Sequence, residues 1–208
     1  MIISIKPGKN NKIHIHLDGE YKATVDSDWW YSEKYRNYKE ITEEELTELL
    51  NSVSFRRAYN KGLDILSRRP YSEKELARKL KDKDFSDEAI EYAVNRLREL
   101  SLLDDERYAE MLAEHLYRNK HYGEKRILQE LMLKGIDRDT SRNVVFALDK
   151  DEINSIVLLL EGKFKGKMND EKGKQRTVAA LLRYGYSYSD IKSALNKVSE
   201  TLEEDFYE

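Results

Sequence analysis

Two pairs of polar residues in this sequence, His14 with His16 and Asp104 with Asp105, have side chains that can bind metals or catalyse proton transfer. His14 and His16 alternate in "KIHIHL", so they share one face of a predicted strand, and two imidazoles on one face can begin a metal site. No third ligand lies nearby, so we predict exposed strand histidines and no metal. Asp104 and Asp105 are adjacent carboxylates, which can serve acid–base catalysis or Mg²⁺ binding. They fall where a helix is predicted to begin, and free backbone amides favour acids there, so capping is predicted instead.

The usual signatures of catalysis are missing from the sequence. It has no nucleophile elbow, P-loop, zinc-protease motif or dinucleotide-binding motif. Gly162, Gly166 and Gly173 are scattered among lysines and do not form a phosphate cradle. The chain has no cysteine, which excludes disulfides, thiolate metal sites and cysteine nucleophiles. We therefore expect no enzyme activity and no cofactor.

The composition favours a soluble and largely helical protein. Of 208 residues, 37% are charged, 39% are hydrophobic and only two are proline. The first residues lack the apolar core of a signal peptide, and the longest apolar run, residues 156–160, is far too short to cross a membrane. We therefore expect a cytoplasmic protein without a membrane partner. The net charge of −3 does not by itself indicate nucleic-acid binding.

The N-terminal part is predicted to be β-structure that leads into helices. Alternating segments predict a small meander over residues 2–26, with Asp18–Gly19 as a strong hairpin signal. A short helix is predicted next, at "DSDWWYSEKY", and its tryptophans are expected to dock it. Thr42 and Glu45 form a capping box that opens the following helix, and a second buried register starts at Phe55.

A helical repeat of about 50 residues occupies the rest of the chain. Segments that begin at Ser72, Gly123 and Gly173 align without gaps. They share a turn position suited to left-handed backbone, held by Asp84, Gly135 and Gly185. They also share a helix-capping position after that turn, held by Ser86, Asp137 and Ser187. Core positions coincide as well: Leu80, Leu131 and Leu181, followed by Phe85, Ile136 and Tyr186.

This repeat predicts the fold class and the domain organisation. We predict a mainly α fold: an elongated array of tandem three-helix repeats with a small N-terminal β-hairpin or meander. Residues 1–53 hold the meander and its helices, 54–103 the first repeat, 104–150 the second, and 151–208 the third with an acidic tail. The first helices of the three repeats are predicted at about residues 55–68, 104–120 and 151–164.

Basic side chains recur at one corner of every predicted repeat, where its first helix ends. They are Arg68 and Arg69, then Arg118 and Lys120, then Lys163, Lys165 and Lys167, with Lys125 and Arg126 extending the second cluster. The helix dipole favours cations at a C-terminus and explains one or two charges per helix. The density beyond that favours a surface for a filament or for phosphates. Both interpretations stay open on the residues alone.

At these residues the sequence resembles the RecX family of recombination regulators. The segments that carry the resemblance are "LDILSRRPYSEKELARKL" (63–80), "LRELSLLDDERYAE" (97–110) and "GEKRILQELMLKGI" (123–136). Their order and spacing also fit, over about residues 55–200. The resemblance implies tandem three-helix repeats, a cytoplasmic location, no enzymatic activity, and a role in DNA repair, recombination and the SOS response.

The resemblance also implies a partner. Family members bind the RecA recombinase filament on single-stranded DNA and modulate, usually inhibit, its ATPase and strand-exchange activities. We therefore expect a monomer that contacts this filament through the nine basic residues above. The alternative is a protein that binds nucleic acid directly without sequence preference. The acidic tail and the net negative charge argue against strong independent DNA binding, and Asp84 departs from the glycine that is commoner at that turn.

Overall fold

The computed structural model describes residues 1–204, which form a three-stranded sheet, ten α-helices and one 3₁₀ helix, Lys34–Asn37. The strands are β1 (Ile3–Pro7), β2 (Lys12–Leu17) and β3 (Glu20–Asp26), antiparallel in the order β1-β2-β3. The helices are α1 (Ser27–Ser32), α2 (Glu43–Leu66), α3 (Glu73–Lys81), α4 (Asp87–Glu99), α5 (Asp105–Lys120), α6 (Glu124–Leu133), α7 (Arg138–Ala147), α8 (Glu152–Glu161), α9 (Glu171–Arg183) and α10 (Tyr188–Glu204). The predicted mainly α fold with an N-terminal meander is confirmed. The last four residues of the predicted acidic tail lie outside the described residues.

The chain divides into two compact units. Unit 1 contains Met1–Pro70 and Leu76–Leu103, and unit 2 contains Tyr71–Glu75 together with the described residues from Asp104 onward. Helix α3 therefore begins in unit 2 and continues in unit 1. The predicted division into four parts stays a prediction. No helix within residues 1–204 is both long and apolar enough to cross a membrane.

The meander buries one face against α1 and the first half of α2. Asp18 and Gly19 both have positive φ, 47° and 85°, as the tight hairpin between β2 and β3 requires. Trp30 is 2% exposed in the core that the sheet forms with α2, and Trp29 packs against it, which confirms the docking role of the tryptophans.

The prediction of exposed histidines is wrong for His16, which is 9% exposed. The register of β2 against β3 shifts between Ile15 and His16, and such an irregularity re-aims a side chain. The ring of Tyr21 then covers His16, with 6.0 Å between ring centroids. His14 Nδ1 lies 2.6 Å from Thr24 Oγ1. Among the described residues, no group of three or more His, Cys, Asp or Glu is arranged to hold a metal ion.

Helix α2 is one continuous helix that serves two cores. The predicted capping box is present: Thr42 Oγ1 accepts from the Glu45 N–H, and the Glu45 carboxylate accepts from the Thr42 N–H. Its first half buries Val53 against the sheet, and its second half buries Ala58 against α3 and α4. The predicted change of register at Phe55 therefore occurs within a single helix.

The three predicted turns share one geometry. Their left-handed residues Asp84, Gly135 and Gly185 have φ of 60°, 92° and 98°. One residue later, the amides of Phe85, Ile136 and Tyr186 donate to the carbonyls of Leu80, Leu131 and Leu181, at 3.5, 3.2 and 3.3 Å. This six-residue hydrogen bond is the closure of a Schellman turn, and the three leucines that accept it have 0% exposure.

The predicted caps after these turns are confirmed. The Ser86, Asp137 and Ser187 side chains accept from the amides of Ala89, Thr140 and Asp190, at 3.3, 2.9 and 3.1 Å. Each turn therefore stops one helix and starts the next within four or five residues. The cores behind the turns are formed by α2–α4, α5–α7 and α8–α10.

Asp84 is the strained member of the three turns, and Asp84→Gly is expected to stabilise the protein. Left-handed backbone costs a non-glycine residue about 1 kcal/mol, while the added chain entropy of glycine costs about 0.5 kcal/mol, so a net gain of about 0.5 kcal/mol is expected. Asp82→Gly, two residues earlier without positive φ, is the matched control and should destabilise. Urea unfolding of both variants checks this, and equal destabilisation would contradict the strain argument.

Candidate partner-binding surface

The corner that follows α5 positions the second basic cluster. The helix ends at Lys120, and His121 takes a left-handed conformation with φ of 50°. The His121 and Tyr122 amides then donate to the carbonyls of Tyr117 and Leu116, both at 3.1 Å. Histidine tolerates this backbone better than most residues. The turn leaves Lys120 exposed and sets Tyr122 one residue before Gly123, the N-cap of α6.

The turn after α9 docks on the start of α6. The Gly123 amide donates to the Tyr184 carbonyl at 2.8 Å, and the Lys125 amide donates to the Gly185 carbonyl at 3.4 Å. A Cβ atom on Gly185 would lie 2.4 Å from Arg126 N, and one on Gly123 would lie 2.8 Å from the Gly185 carbonyl carbon. Only glycine at both positions allows this approach, which also satisfies two of the free amides at the N-terminus of α6.

An equivalent contact occurs one repeat earlier, also within unit 2. Positions 72 and 134 are the repeat equivalents of 123 and 184, and Ser72 Oγ donates to the Lys134 carbonyl. Lys134 Nζ lies 2.8 Å from Glu75 Oε1, and a Cβ on Gly135 would lie 2.5 Å from Lys74 Cβ. We call both contacts the turn-to-helix lock. The first lock joins Ser72 to Lys134, and an ion pair supports it. The second lock joins Gly123 to Tyr184, and aromatic side chains support it.

The adjacent carboxylates have the predicted capping role, but they cap two different helices. Asp104 Oδ1 accepts from the Arg107 amide at 3.0 Å, at the start of α5. Asp105 Oδ1 accepts from the Glu73 amide at 2.8 Å, at the start of α3. Both contacts lie within unit 2, and they confirm the predicted capping role.

Cations and aromatic rings alternate on the surface next to the second lock. The Arg126 guanidinium carbon lies 5.6 Å from the Tyr122 ring centre, within the range of cation–π attraction. The Tyr122 ring meets the Tyr184 ring edge-on, with 5.5 Å between centroids and 90° between planes. Lys163 Nζ lies 4.9 Å from the centre of the Tyr184 ring and donates to its hydroxyl.

The alternation continues through the segment after α8. The Phe164 ring lies 6.5 Å from the Tyr184 ring, and Lys167 Nζ lies 5.6 Å from the Phe164 ring centre. We call the six side chains the cation–aromatic ladder: Arg126, Tyr122, Tyr184, Lys163, Phe164 and Lys167. The ladder joins the basic cluster at the start of α6 to the lysines that follow α8. Nearby, Lys165 lines a cavity of about 700 Å³ together with Lys174.

Two of the predicted contact residues, Arg118 and Arg126, are partly neutralised by carboxylates on their own helices. Arg126 is 39% exposed and pairs with Glu130 at 2.5 Å, four residues along the same helix. Arg118 pairs in the same way with Glu114, and this hydrogen bond raises its pKa. Lys125 is exposed beside Arg126. Exposed pairs of this kind contribute about 0–1 kcal/mol, so their charges are easily redirected to a partner.

The first basic cluster lies in unit 1. Arg68 is 72% exposed, and its guanidinium lies 3.4 Å from both carboxylate oxygens of Asp64. Arg69 is exposed, and its Nη1 donates to the Pro70 carbonyl at 3.2 Å. Both arginines follow the end of α2 at Leu66. Unit 2 therefore brings together the second and third clusters, while the first belongs to unit 1.

One placement differs from the prediction. Lys163, Lys165 and Lys167 were expected at the end of a helix, but α8 ends at Glu161 and they lie in the following segment. Gly162 stops the helix with φ −95° and ψ −93°, outside helical backbone. These lysines therefore gain little stabilisation from the helix dipole, so the dipole does not explain why this segment is basic.

The sequence reasoning missed Tyr122 and Tyr184 as organisers of the basic surface. A signal was available: Tyr71 and Tyr122 hold equivalent positions, one residue before their aligned repeat segments. Tyr186 has the predicted core role, since it is 1% exposed and its hydroxyl donates to the His121 carbonyl at 2.9 Å.

A half-buried carboxylate lies beside the second lock. Glu152 Oε1 accepts from the Glu124 amide at 3.3 Å, while Glu152 Oε2 is buried without a hydrogen-bond partner among the described residues. Burial raises the pKa of Glu152, and the negative charge of Asp190 adds to that shift. The ionised carboxylate at neutral pH therefore destabilises unit 2 slightly.

Comparisons with known proteins give a consistent result. A family model described as RecX, first three-helix domain, matches residues 58–97, and one described as RecX, second three-helix domain, matches residues 104–144. The regulatory protein RecX of Caldanaerobacter subterraneus subsp. tengcongensis is 31% identical over 194 residues, covering 92% of this chain and 96% of that relative. The regulatory protein RecX of Clostridioides difficile is 31% identical over 203 residues, covering 95% of each chain.

Solved structures agree with the sequence relatives. A crystal structure of regulatory protein RecX superposes with a TM-score of 0.74 at 25% identity, covering 92% of this chain and 98% of the other. The crystal structure of RecX from Lactobacillus salivarius gives a TM-score of 0.63 at 26% identity, covering 70% of this chain and 97% of the other.

Gly185→Ala is expected to destabilise unit 2 by about 2–3 kcal/mol, because it adds a Cβ against the α6 backbone and forces alanine into left-handed φ. Gly166→Ala is the control, since Gly166 also has positive φ, 71°, but has open space around it. The control should cost about 1 kcal/mol. Chemical denaturation distinguishes them, and equal losses would show that the lock contributes nothing beyond backbone strain.

Glu152→Gln is expected to stabilise the protein at neutral pH. A carboxyl whose folded pKa is raised destabilises the fold when ionised, and this penalty disappears as pH falls through the folded pKa toward the unfolded one. The variant should therefore have the higher urea midpoint at pH 7.5, and the difference should shrink on acidification. Exposed Glu161→Gln is the control. A pH-independent difference would contradict this account.

Proposed function

Because this chain belongs to the RecX family of regulatory proteins, we propose that it binds the RecA filament on single-stranded DNA and lowers its ATPase and strand-exchange activities. The observation that carries the site assignment is the cation–aromatic ladder, which gathers cations from two helical groups of unit 2. We infer a non-catalytic monomer that acts in the cytoplasm by occupying a surface rather than by chemistry.

The ladder is suited to binding because its cations are already held in place. Arg126, Lys163 and Lys167 lie over aromatic rings, so part of the side-chain entropy that binding removes has been lost on folding. Their charges are still available to carboxylates of a protein filament or to phosphates. The neighbouring Arg118, Lys120, Lys125 and Lys165 add further contacts.

The mechanism follows from the number and weakness of these contacts. A single exposed ion pair contributes about 0–1 kcal/mol, too little to hold a partner. Several pairs on one chain act together, because the first contact raises the effective concentration of the others. A filament offers repeated copies of one surface, so a protein with basic corners in both units, Arg68 and Arg69 in unit 1 included, can contact more than one copy and hinder their movements.

Arg126→Gln/Lys163→Gln is expected to raise the concentration needed for half-inhibition of RecA ATPase on single-stranded DNA at least tenfold. Arg68→Gln/Arg69→Gln should also weaken inhibition. Arg142→Gln/Lys192→Gln removes the same charge from exposed positions of unit 2 outside the ladder and should inhibit like the wild type. Thermal melts of all variants check that folding is intact.

Two results would overturn different parts of this proposal. If the wild-type protein leaves ATPase and strand exchange untouched, the regulatory role is wrong. If the ladder variant inhibits as well as the wild type, the site is wrong while the regulatory role stands.

Direct binding to nucleic acid is the second candidate function, and the interleaving of cations with aromatic rings favours it. The rings offer few free faces, however, since Phe164 is 6% exposed and Tyr122 and Tyr184 contact each other and their cations. Direct binding would therefore rest on phosphates and be steeply dependent on salt.

We expect binding to single-stranded DNA alone to weaken at least tenfold between 50 and 200 mM salt. Each phosphate contact releases condensed counterions, and a few such contacts are enough for a tenfold loss of affinity over this range. Fluorescence anisotropy with labelled oligonucleotides of different sequence measures this. Affinity that is tight and insensitive to salt would contradict a phosphate-only contact and indicate base stacking.

A further inference from the structure

Unit 1 contains a polar cavity that the proposed function does not use. It has a volume of about 450 Å³ and lies between strands β2 and β3 and helix α2. Val53 and Phe85 give it an apolar wall, while charged side chains from the strands and the helix line the rest. This volume is within the range of about 300–1,000 Å³ that is usual for small-molecule pockets.

The two carboxylates of this cavity are already neutralised by neighbouring lysines. Asp26 Oδ1 accepts from Lys12 Nζ at 2.6 Å, and its other oxygen accepts from Asn60 at 3.2 Å. The Lys12 hydrogen bond is the main cause that lowers the pKa of Asp26. In the same way, Lys61 Nζ lies 2.6 Å from Asp64. Asp64 also pairs with Arg68, and Arg56 contributes less than Lys12 to the lowered pKa of Asp26, so the two carboxylates balance the remaining cations only in part.

Those remaining cations are Arg56 and Arg57, which line the cavity from α2. Neither forms an ion pair with any described residue. Arg56 Nε is buried and has no hydrogen-bond partner among the described residues, and the guanidinium lies 5.4 Å from the ring centre of Tyr59. A buried donor of a charged group without a partner is costly, and it points to an ion or ligand that completes it.

The charge of the lining specifies the class of ligand. Four cations and two carboxylates leave a formal charge of +2, which a phosphate monoester dianion would neutralise and a single carboxylate would not. Guanidinium groups also present paired N–H donors that match phosphate oxygens. The apolar wall beside them suits a flat, weakly polar group attached to that phosphate.

We propose that this cavity binds a phosphate monoester of nucleotide size, with its phosphate between Arg56 and Arg57 and its apolar part against Val53 and Phe85. A free nucleotide and the 5′-phosphate end of a DNA strand carry the same chemistry. The site lies on elements of unit 1 alone, so its occupation is separate from the cation–aromatic ladder.

Calorimetric titration of the full chain with AMP, adenosine and inorganic phosphate tests the site. AMP is expected to bind, to raise the melting temperature and to bind at least tenfold more tightly than adenosine. Arg56→Gln/Arg57→Gln should weaken AMP binding at least tenfold. Lys81→Gln/Arg96→Gln removes the same charge from exposed ion pairs of unit 1 outside the cavity and should bind AMP like the wild type.

Exposed Arg57→Gln alone keeps the test decisive if the double variant does not fold, and it should weaken AMP binding severalfold. A 5′-phosphorylated dinucleotide distinguishes the sources: affinity equal to that of AMP indicates a strand end, and much weaker affinity indicates a free nucleotide. No binding of AMP at millimolar concentration, equal binding of adenosine, or equal binding by the arginine variants would overturn the proposal. None of these results depends on RecA inhibition.

Discussion

The turn-to-helix lock is the contact on which the second half of this molecule depends. A left-handed turn presents its carbonyls to the start of an earlier helix, where the Ser72 hydroxyl donates in the first lock and amides without a partner in their own helix donate in the second. The approach is so close that the turn must hold glycine at Gly135 and Gly185, since a side chain would overlap the facing helix. One residue type thus satisfies two requirements, because the same glycine stops its helix and allows the contact. The two locks join equivalent positions by different donors, since the Ser72 hydroxyl serves the first and backbone amides serve the second.

That surface is a consequence of packing as much as of charge. Lysines and arginines near helix ends are common, and intrahelical pairs such as Arg118 with Glu114 and Arg126 with Glu130 absorb part of their field. Density alone is therefore a weak argument for function. Tyr184 adds a feature that charge density lacks. The lock holds its ring where it contacts Lys163 from the segment after α8 and Tyr122 from the segment before α6. The rings therefore hold these cations in place relative to one another, and this is the feature on which the proposed binding surface rests.

Much of this architecture follows from local rules that a sequence exposes. Left-handed turn positions accept few residue types, and helix caps accept few others, so Asp84, Gly135 and Gly185 with their following caps were predictable one by one. The recurrence of basic residues could also be seen in the sequence, because the turns and caps mark where each helix ends. Contacts between distant segments follow no such rule. That Asp105 caps α3 rather than its own helix, that a shift in β2 buries His16, and that α2 is continuous through Phe55 all depend on tertiary packing. The cation–aromatic ladder belongs to this second class, because it exists only once the lock has formed.

The division of α3 between the two units has a consequence for how such a chain can be cut or duplicated. Ser72 and Glu75 belong to unit 2, although 28 residues of unit 1, Leu76–Leu103, separate them from the rest of it. A fragment that starts at Asp104, where sequence alone would place a boundary, loses the hydroxyl and carboxylate that hold the carbonyl and ammonium of Lys134. A gene segment that carries its own lock must instead begin just before position 71 or position 122. Within this chain, the segments that carry a complete lock are therefore offset from the three-helix cores by one helix.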